Sequence, residues 1–272
     1  MAKTWFITGI SSGLGQALAE EVMAKGDYVI GTLRKSDQVD AYNEKYKGRA
    51  EAVLADITDF KRMGELISNV PCIDVLVNNA GIGFVGAIEE TSLEEIRGVF
   101  EANFFAALWL TQLVLPKMRD RSGGHIVQIS SHAGIKAFAG FGIYSASKFA
   151  LEGFTEALAQ EVIPLGIKVT LVEPGPFRTQ FASKGLSEAK RLIHEYDESA
   201  GAFRNTLKGV HGKQEGDPKK AAKAIVGKVV SGSSSLRMPL GKIPMATIQI
   251  KLDSVKSDLE ENRTVAENVV FR

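Results

Sequence analysis

Near its start the chain runs from a short apolar stretch into a glycine cluster and then into a helical pattern, and this sequence of signals constrains the fold most. Residues 4–8 (Thr-Trp-Phe-Ile-Thr) read as a buried strand with no clean alternation. Gly9-Ile-Ser-Ser-Gly13-Leu-Gly15 follows directly, and Leu14, Ala17, Leu18, Glu21, Val22 and Lys25 keep a helical period until Gly26. Strand, glycine turn and helix in this order point free backbone N–H groups and a helix dipole at one place, which suits a phosphate. Glycines permit the tight turn and let a pyrophosphate approach the backbone. The spacing is Gly-x-x-x-Gly-x-Gly, not the better-known Gly-x-Gly-x-x-Gly, and alone it also fits an ordinary strand-to-helix turn.

The rest of the chain alternates in the same way. Further strands are expected at 28–33, 50–55, 74–77, 125–131 and 167–172, with a short last one at 236–238. Helices are expected near 38–46 and 59–69, over 93–118 and over 144–162. Thr91-Ser92 with Glu94 and Glu95 marks the start of the long helix, and Asp217-Pro218 opens another that runs to about residue 230. Residues 244–262 read as a charged amphipathic helix. Alternation of this kind predicts an α/β fold with a parallel sheet covered on both faces, and ligands at the carboxyl ends of its strands.

Composition removes several classes. At 272 residues, 44% hydrophobic and 24% charged, the chain is long enough for one α/β domain. A net charge of +1 gives no basic field for nucleic acid. One cysteine, Cys72, builds neither a disulfide within the chain nor a cysteine cage, and His125, His194 and His211 have no ligand-like spacing, so no metal is expected. The longest apolar run, 104–115, is broken by Thr111 and Gln112 and is too short to span a bilayer. The Met-Ala-Lys-Thr start shows no signal-peptide apolar region, so a cytoplasmic location is expected.

The densest chemistry lies in Tyr144-Ser-Ala-Ser-Lys148, with Ser131 thirteen residues upstream of the tyrosine. Four apart on a helix, Tyr144 and Lys148 share a face. An ammonium beside a phenol favours the phenolate and lowers a pKa that is otherwise about 10. The spacing therefore predicts Tyr144 as a proton donor and acceptor near neutral pH, the task set by carbonyl/alcohol redox chemistry. Taken alone, the pair also fits a solvated helix face.

Together these segments resemble the short-chain dehydrogenase/reductase family over nearly the full length. Thr8-Gly9-Ile-Ser-Ser-Gly13-Leu-Gly15 matches its glycine turn, and Asn78-Asn79-Ala80-Gly81 matches a segment after the fourth strand. Ser131, Tyr144 and Lys148 match the catalytic trio, Asn103 the helix asparagine that completes it, and Pro174-Gly175-x-x-x-Thr179 the segment that closes over the nicotinamide. The resemblance implies a single doubly wound Rossmann-type domain with about seven parallel strands and helices on both faces. Within it, a substrate-loop region near 176–215 and a C-terminal helical extension near 240–272 are expected. It implies that Tyr144 protonates a carbonyl oxygen while a hydride arrives from the nicotinamide, that Ser131 holds that oxygen, and that Lys148 acidifies Tyr144 and bonds the ribose. Asn103 is implied to hold a proton-relay water near Lys148, the alternative being an amide that merely bonds a backbone carbonyl.

The same resemblance implies a nicotinamide dinucleotide lying against Gly9, Ser11, Ser12, Gly13, Leu14 and Gly15, then Asn79, Ala80 and Gly81, then Tyr144 and Lys148, and finally Pro174, Gly175, Phe177 and Thr179. Asp56 and the Ile57 backbone match the family's adenine contact. An NAD-selective relative usually ends its second strand with Asp or Glu, whereas here Leu33 is followed by Arg34 and Lys35. A guanidinium grips a 2′-phosphate well, so NADP(H) is expected, with NAD(H) possible.

Ile135, Phe138, Phe141, Phe84, Phe177, Phe181 and Phe203 are expected to line the substrate cleft, which favours an apolar or aromatic ketone or its secondary alcohol. His132 adjoins Ser131 in sequence and is left outside the expected site. Apolar outer faces on the 93–118 and 149–162 helices suggest a homodimer or homotetramer built on a four-helix bundle. The alternative reading is a dinucleotide-binding sensor or scaffold with incidental turnover. A sugar-nucleotide epimerase or dehydratase, which also uses Tyr-x-x-x-Lys, is disfavoured by the glycine spacing and by Asn78–Gly81.

Overall fold

A computed structural model describes residues 2–271 except Lys184 and His211, so the expectation for His211 lies outside the described residues. In chain order the strands are β1 (Thr4–Ile7), β2 (Tyr28–Leu33), β3 (Ala50–Leu54), β4 (Val75–Asn78), β5 (Gly83–Val85), β6 (Gly124–Ile129), β7 (Ile167–Pro174), β8 (Leu186–Glu188) and β9 (Arg237–Leu240). The helices are α1 (Gly13–Ala24), α2 (Ser36–Lys45), α3 (Phe60–Asn69), α4 (Leu93–Phe100), α5 (Ala106–Asp120), α6 (Gly142–Val162), α7 (Ala202–Gly209), α8 (Pro218–Ser231) and α9 (Lys242–Asn268).

Seven strands form one sheet in the order β3-β2-β1-β4-β6-β7-β9, with every neighbouring pair parallel. Helices cover both faces because the inner strands carry apolar side chains on both sides. Trp5 and Ile7 pack with Leu18 and Val22 of α1 and Ile225 and Val226 of α8. Phe6 points the other way, toward Met63 of α3, Leu110 and Val114 of α5, and Leu158 of α6. Strand order reverses between β1 and β4, which leaves a crevice at the carboxyl ends of those strands.

Caps follow the sequence signals. Ser92 accepts the Glu95 N–H and Glu95 answers with its carboxylate, a complete capping box on α4. Asp217 accepts from the N–H groups of Lys219 and Lys220 at the start of α8.

Three expectations are corrected. The 93–118 helix is not uniform, because a π-helical turn at Glu101–Phe105 separates α4 from α5. Leu93–Asp120 spans 28 residues, and an 18-residue stretch within it has mean hydropathy 1.4, long and apolar enough to cross a membrane by length and composition. The uninterrupted apolar run had looked too short because Thr111 and Gln112 divide it. In the fold, Val99, Leu110, Val114 and Met118 of this helix are buried in the chain's own core. Finally, β5 and β8 pair in parallel as a separate ribbon, and α7 follows, none of them expected from the sequence.

Candidate active site

The glycine turn occupies the β1 end of the crevice. Thr8 and Asn79 brace it: the Thr8 hydroxyl accepts the N–H groups of Asn79 and Ala80, both at 2.9 Å. Asn79 Nδ2 returns bonds to the carbonyls of Thr8 (2.8 Å) and Gly9 (3.2 Å). A side chain at Gly15 would collide with the Gly9 carbonyl oxygen and the Asn79 amide, so only glycine lets helix, turn and β4 end close together. Ser12 sits at the N-cap of α1 with no side-chain cap bond, which leaves the first-turn N–H groups for a ligand.

Beside that helix start lies a cavity of about 430 Å³, lined by Ser12, Gly13, Gln16, Arg178, Thr179 and Lys219 among others. The Thr179 side chain reaches back to lie 3.2 Å from where a Gly13 Cβ would stand. An open row of N–H donors and a crevice walled by close-packed glycines fit a dinucleotide.

A second cavity, about 250 Å³, opens at the end of β2 against Ile10, Ser11, Leu33, Gln38, Tyr42 and Lys45. Leu33 is buried there, whereas Arg34 and Lys35 stand exposed where α2 begins. Asp56 is exposed, and its carboxylate closes a local turn by accepting the Thr58 N–H and hydroxyl at 2.9 and 2.7 Å. Ile57, half-buried, is the next residue.

Tyr144 and Lys148 lie on the buried face of α6, and Ser131 stands at the end of β6 opposite them. Ammonium and tyrosine ring are 6.0 Å apart, and Lys148 Nζ donates to the Ile129 carbonyl at 2.9 Å. One expectation is overturned here. Burial pushes the Tyr144 phenol up to about 12, and the Ser131 hydroxyl only partly offsets that. Burial also brings Lys148 down to about 8, against the attraction of Glu152. In the unliganded protein desolvation therefore outweighs the Ser131 hydrogen bond at the phenol.

Asn103 lies in the π-helical turn, and its amide is spent on protein groups. It accepts the Ile82 N–H (2.8 Å) and donates to the Ile82 carbonyl (2.9 Å) and the Ser147 hydroxyl (3.1 Å). Its side chain holds the segment after Gly81 against α6. A Cβ on Gly81 would come within 2.9 Å of Asn103 Oδ1 and 3.7 Å of Lys148 Nζ, so all three converge.

An aromatic wall stands over Tyr144. Phe141 stacks on its ring at 4.3 Å, Phe181 lies 5.9 Å away, and Phe203 touches both Phe141 (5.4 Å) and Phe138 (6.1 Å). Two expected wall residues sit elsewhere. Phe84 is core, packed with Val99, Ile143 and Ala189, and the Phe177 ring covers Gly216. His132 packs on Phe138, and Nδ1 meets the Thr247 hydroxyl of α9 at 3.0 Å. Gly175 takes no side chain because its Cβ would lie 2.6 Å from Pro244 of α9.

Two charged clusters near the site give no local sequence signal, since their members lie far apart in the chain. Arg237 of β9 pairs with Glu152 and Glu156 of α6 and Glu173 of β7. Burial leads in pushing Glu152 up to about 7, one helical turn beyond Lys148. Glu90 and Arg204 form a buried pair beneath the aromatic wall.

A family model described as short chain dehydrogenase matches residues 3–190. The chain belongs to the short-chain dehydrogenase family. A solved short-chain dehydrogenase from Streptomyces avermitilis is 43% identical, covers 100% of both chains and superposes with a TM-score of 0.93. The 3-ketodihydrosphingosine reductase of Bacteroides thetaiotaomicron is 35% identical over 94% of this dehydrogenase and 93% of its own length. An NADPH-dependent 3-dehydrocapnine reductase of Ornithobacterium rhinotracheale is 36% identical over 66% of this chain and 68% of its own. This dehydrogenase therefore has a seven-stranded parallel Rossmann-like sheet and belongs to an oxidoreductase family.

Proposed function

We propose that this short-chain dehydrogenase moves a hydride between a nicotinamide dinucleotide, NADP(H) in preference to NAD(H), and an apolar ketone or its secondary alcohol. The observation that carries the reading is the convergence of Ser131, Tyr144 and Lys148 with Gly81 and the glycine turn at one end of the sheet. The dinucleotide, when bound, supplies or receives the hydride. The N–H groups of the turn at Gly13–Gly15 would hold it at its phosphates, with Lys148 and the segment Asn79–Gly81 as further holding residues.

The protein's own part in reduction is proton delivery. Tyr144 donates its phenolic proton to the carbonyl oxygen as negative charge grows there, and Ser131 holds that oxygen by a hydrogen bond. A phenol at about 12 gives up its proton only with help. Lys148, at about 8, is still mostly charged at neutral pH and supplies the positive field. Asn103 holds the Ile82 backbone, next in the chain to Gly81, whose Cβ position lies 3.7 Å from that lysine's Nζ.

Cofactor preference rests on Leu33 in place of an acidic residue, on Arg34 and Lys35 after it, and on the relative named as NADPH-dependent. Substrate class rests on the Phe138–Phe141–Phe203–Phe181 wall and on relatives named as reductases of 3-ketodihydrosphingosine and 3-dehydrocapnine. The whole chain works as one unit in the cytoplasm, and exposed Phe105, Trp109 and Phe149 suit a homo-oligomer contact through α5 and α6.

Loss of NADPH absorbance over a panel of long-chain, hydroxysteroid-type and aryl ketones, retinal and a keto sugar tests the reading, each assay repeated with NADH. Turnover of the apolar members with NADPH is expected. Turnover of the keto sugar alone would overturn the substrate class, and silence with NADPH still bound would favour a sensor.

A further inference from the structure

The last helix carries a pattern that the reaction does not use. Pro244, over Gly175, and Thr247, at His132, dock the start of α9, and Glu215 caps it by accepting the N–H groups of Lys242 (3.1 Å) and Ile243 (3.3 Å). From Leu252 to residue 271 every residue is exposed. Residues 252–268 of α9 thus stand about 25 Å clear of the body at about 1.5 Å per residue.

Along this helix Met245, Ile248, Leu252, Val255, Leu259, Asn262, Ala266 and Val269 alternate at spacings of three and four. That is a heptad seam, the signature of a helix that packs against another helix. Within it Met245 is 61% exposed, Leu252 57%, Val255 39% and Leu259 67%, so the chain's own fold leaves the seam uncovered.

We propose that the seam is covered by α9 of a second copy of this chain, running antiparallel, with a two-fold axis between Asp253 and Ser254. In this register Leu252 meets Val255 of the second copy, Ile248 meets Leu259, and Met245 meets Asn262. Charge disfavours a slipped register. Lys251 and Asp258 flank the seam on one side, and among the described residues neither has an ion-pair partner. The antiparallel register sets Lys251 opposite Asp258 twice. A shift of one heptad sets Lys251 against Lys251 or Asp258 against Asp258.

Sedimentation equilibrium of the full-length protein tests this, with Leu252→Glu/Leu259→Glu as the apolar variant. Both positions are exposed in the monomer, so the variant keeps its fold. The proposal expects it to run at half the wild-type mass, as monomer from dimer or dimer from tetramer. Lys251→Asp and Asp258→Lys should each weaken association by about tenfold at low salt, and the double exchange should restore it. A wild-type protein of monomer mass, an apolar variant of unchanged mass, or a double exchange that restores nothing would overturn it.

Discussion

Arg204 Nη2 lies 2.8 Å from Glu90 Oε2, and both side chains are buried beneath the aromatic wall of the site. Glu90 also accepts the N–H groups of Ala87 (2.7 Å) and Ile193 (3.0 Å), so one carboxylate ties α7 and the segment before it to the loop after β5. Burial raises the Glu90 pKa, but these bonds and Arg204 outweigh it and the net shift is downward. Removing one partner leaves an uncompensated buried charge. Arg204→Met should cost about 3–5 kcal/mol if the segment stays packed. If it opens instead, KM should rise with little change in cofactor affinity. Urea unfolding and limited proteolysis of 176–215 distinguish the two, and a variant indistinguishable from wild type in both would remove the anchor.

Gly15 has no room for a methyl group between the Gly9 carbonyl and the Asn79 amide. Gly15→Ala should therefore push α1 away from the turn, weaken dinucleotide binding by at least about tenfold and cost about 1–3 kcal/mol of stability. Titration calorimetry with NADPH and NADH, both weakened alike, is the check.

His125 is buried, with Nε2 2.8 Å from the Thr170 hydroxyl. Burial, then the charges of Lys168, Lys228 and Lys3, pushes its pKa down from 6.5 to about 4. Across that window the unfolded chain takes up a proton that the folded chain refuses, so stability falls as pH falls. The full shift is worth about 3 kcal/mol. Glu152, pushed up from 4.5 to about 7, works in the opposite sense and partly masks the effect. His125→Gln isolates it: the stability gap between wild type and variant should narrow from neutral pH toward pH 4, and a gap constant with pH would contradict the account.

The proposed cofactor preference rests on Arg34 and Lys35. Arg34→Ala should weaken NADPH binding by about tenfold to a hundredfold, through loss of a charge-assisted contact, and leave NADH binding nearly unchanged. Equal losses would return Arg34 to an ordinary exposed loop position.

The strands of the main sheet are legible because both faces of the inner ones are apolar, so short hydrophobic runs bounded by glycine and proline stand out. Their ends shift by a residue or two, as at 125–131 against Gly124–Ile129, because side-chain pattern does not mark where backbone pairing stops. The ribbon of β5 and β8 is not legible, since it depends on a bond from Gly83 N–H to the Gly185 carbonyl across a long separation. Spacing sets Tyr144 and Lys148 on one helix face, and the family resemblance adds Ser131 to them. The upward shift of the Tyr144 phenol is not legible, because it comes from Phe141, Phe181 and the burial they impose.

The central claim is that Tyr144 delivers the proton in a carbonyl/alcohol redox reaction. The direct measurement is NADPH-dependent reduction of an apolar ketone by wild type and Tyr144→Phe, with NADPH affinity measured for both. The account predicts turnover reduced by about a hundredfold to ten-thousandfold with affinity nearly unchanged. A Tyr144→Phe protein that keeps most of its turnover would contradict it.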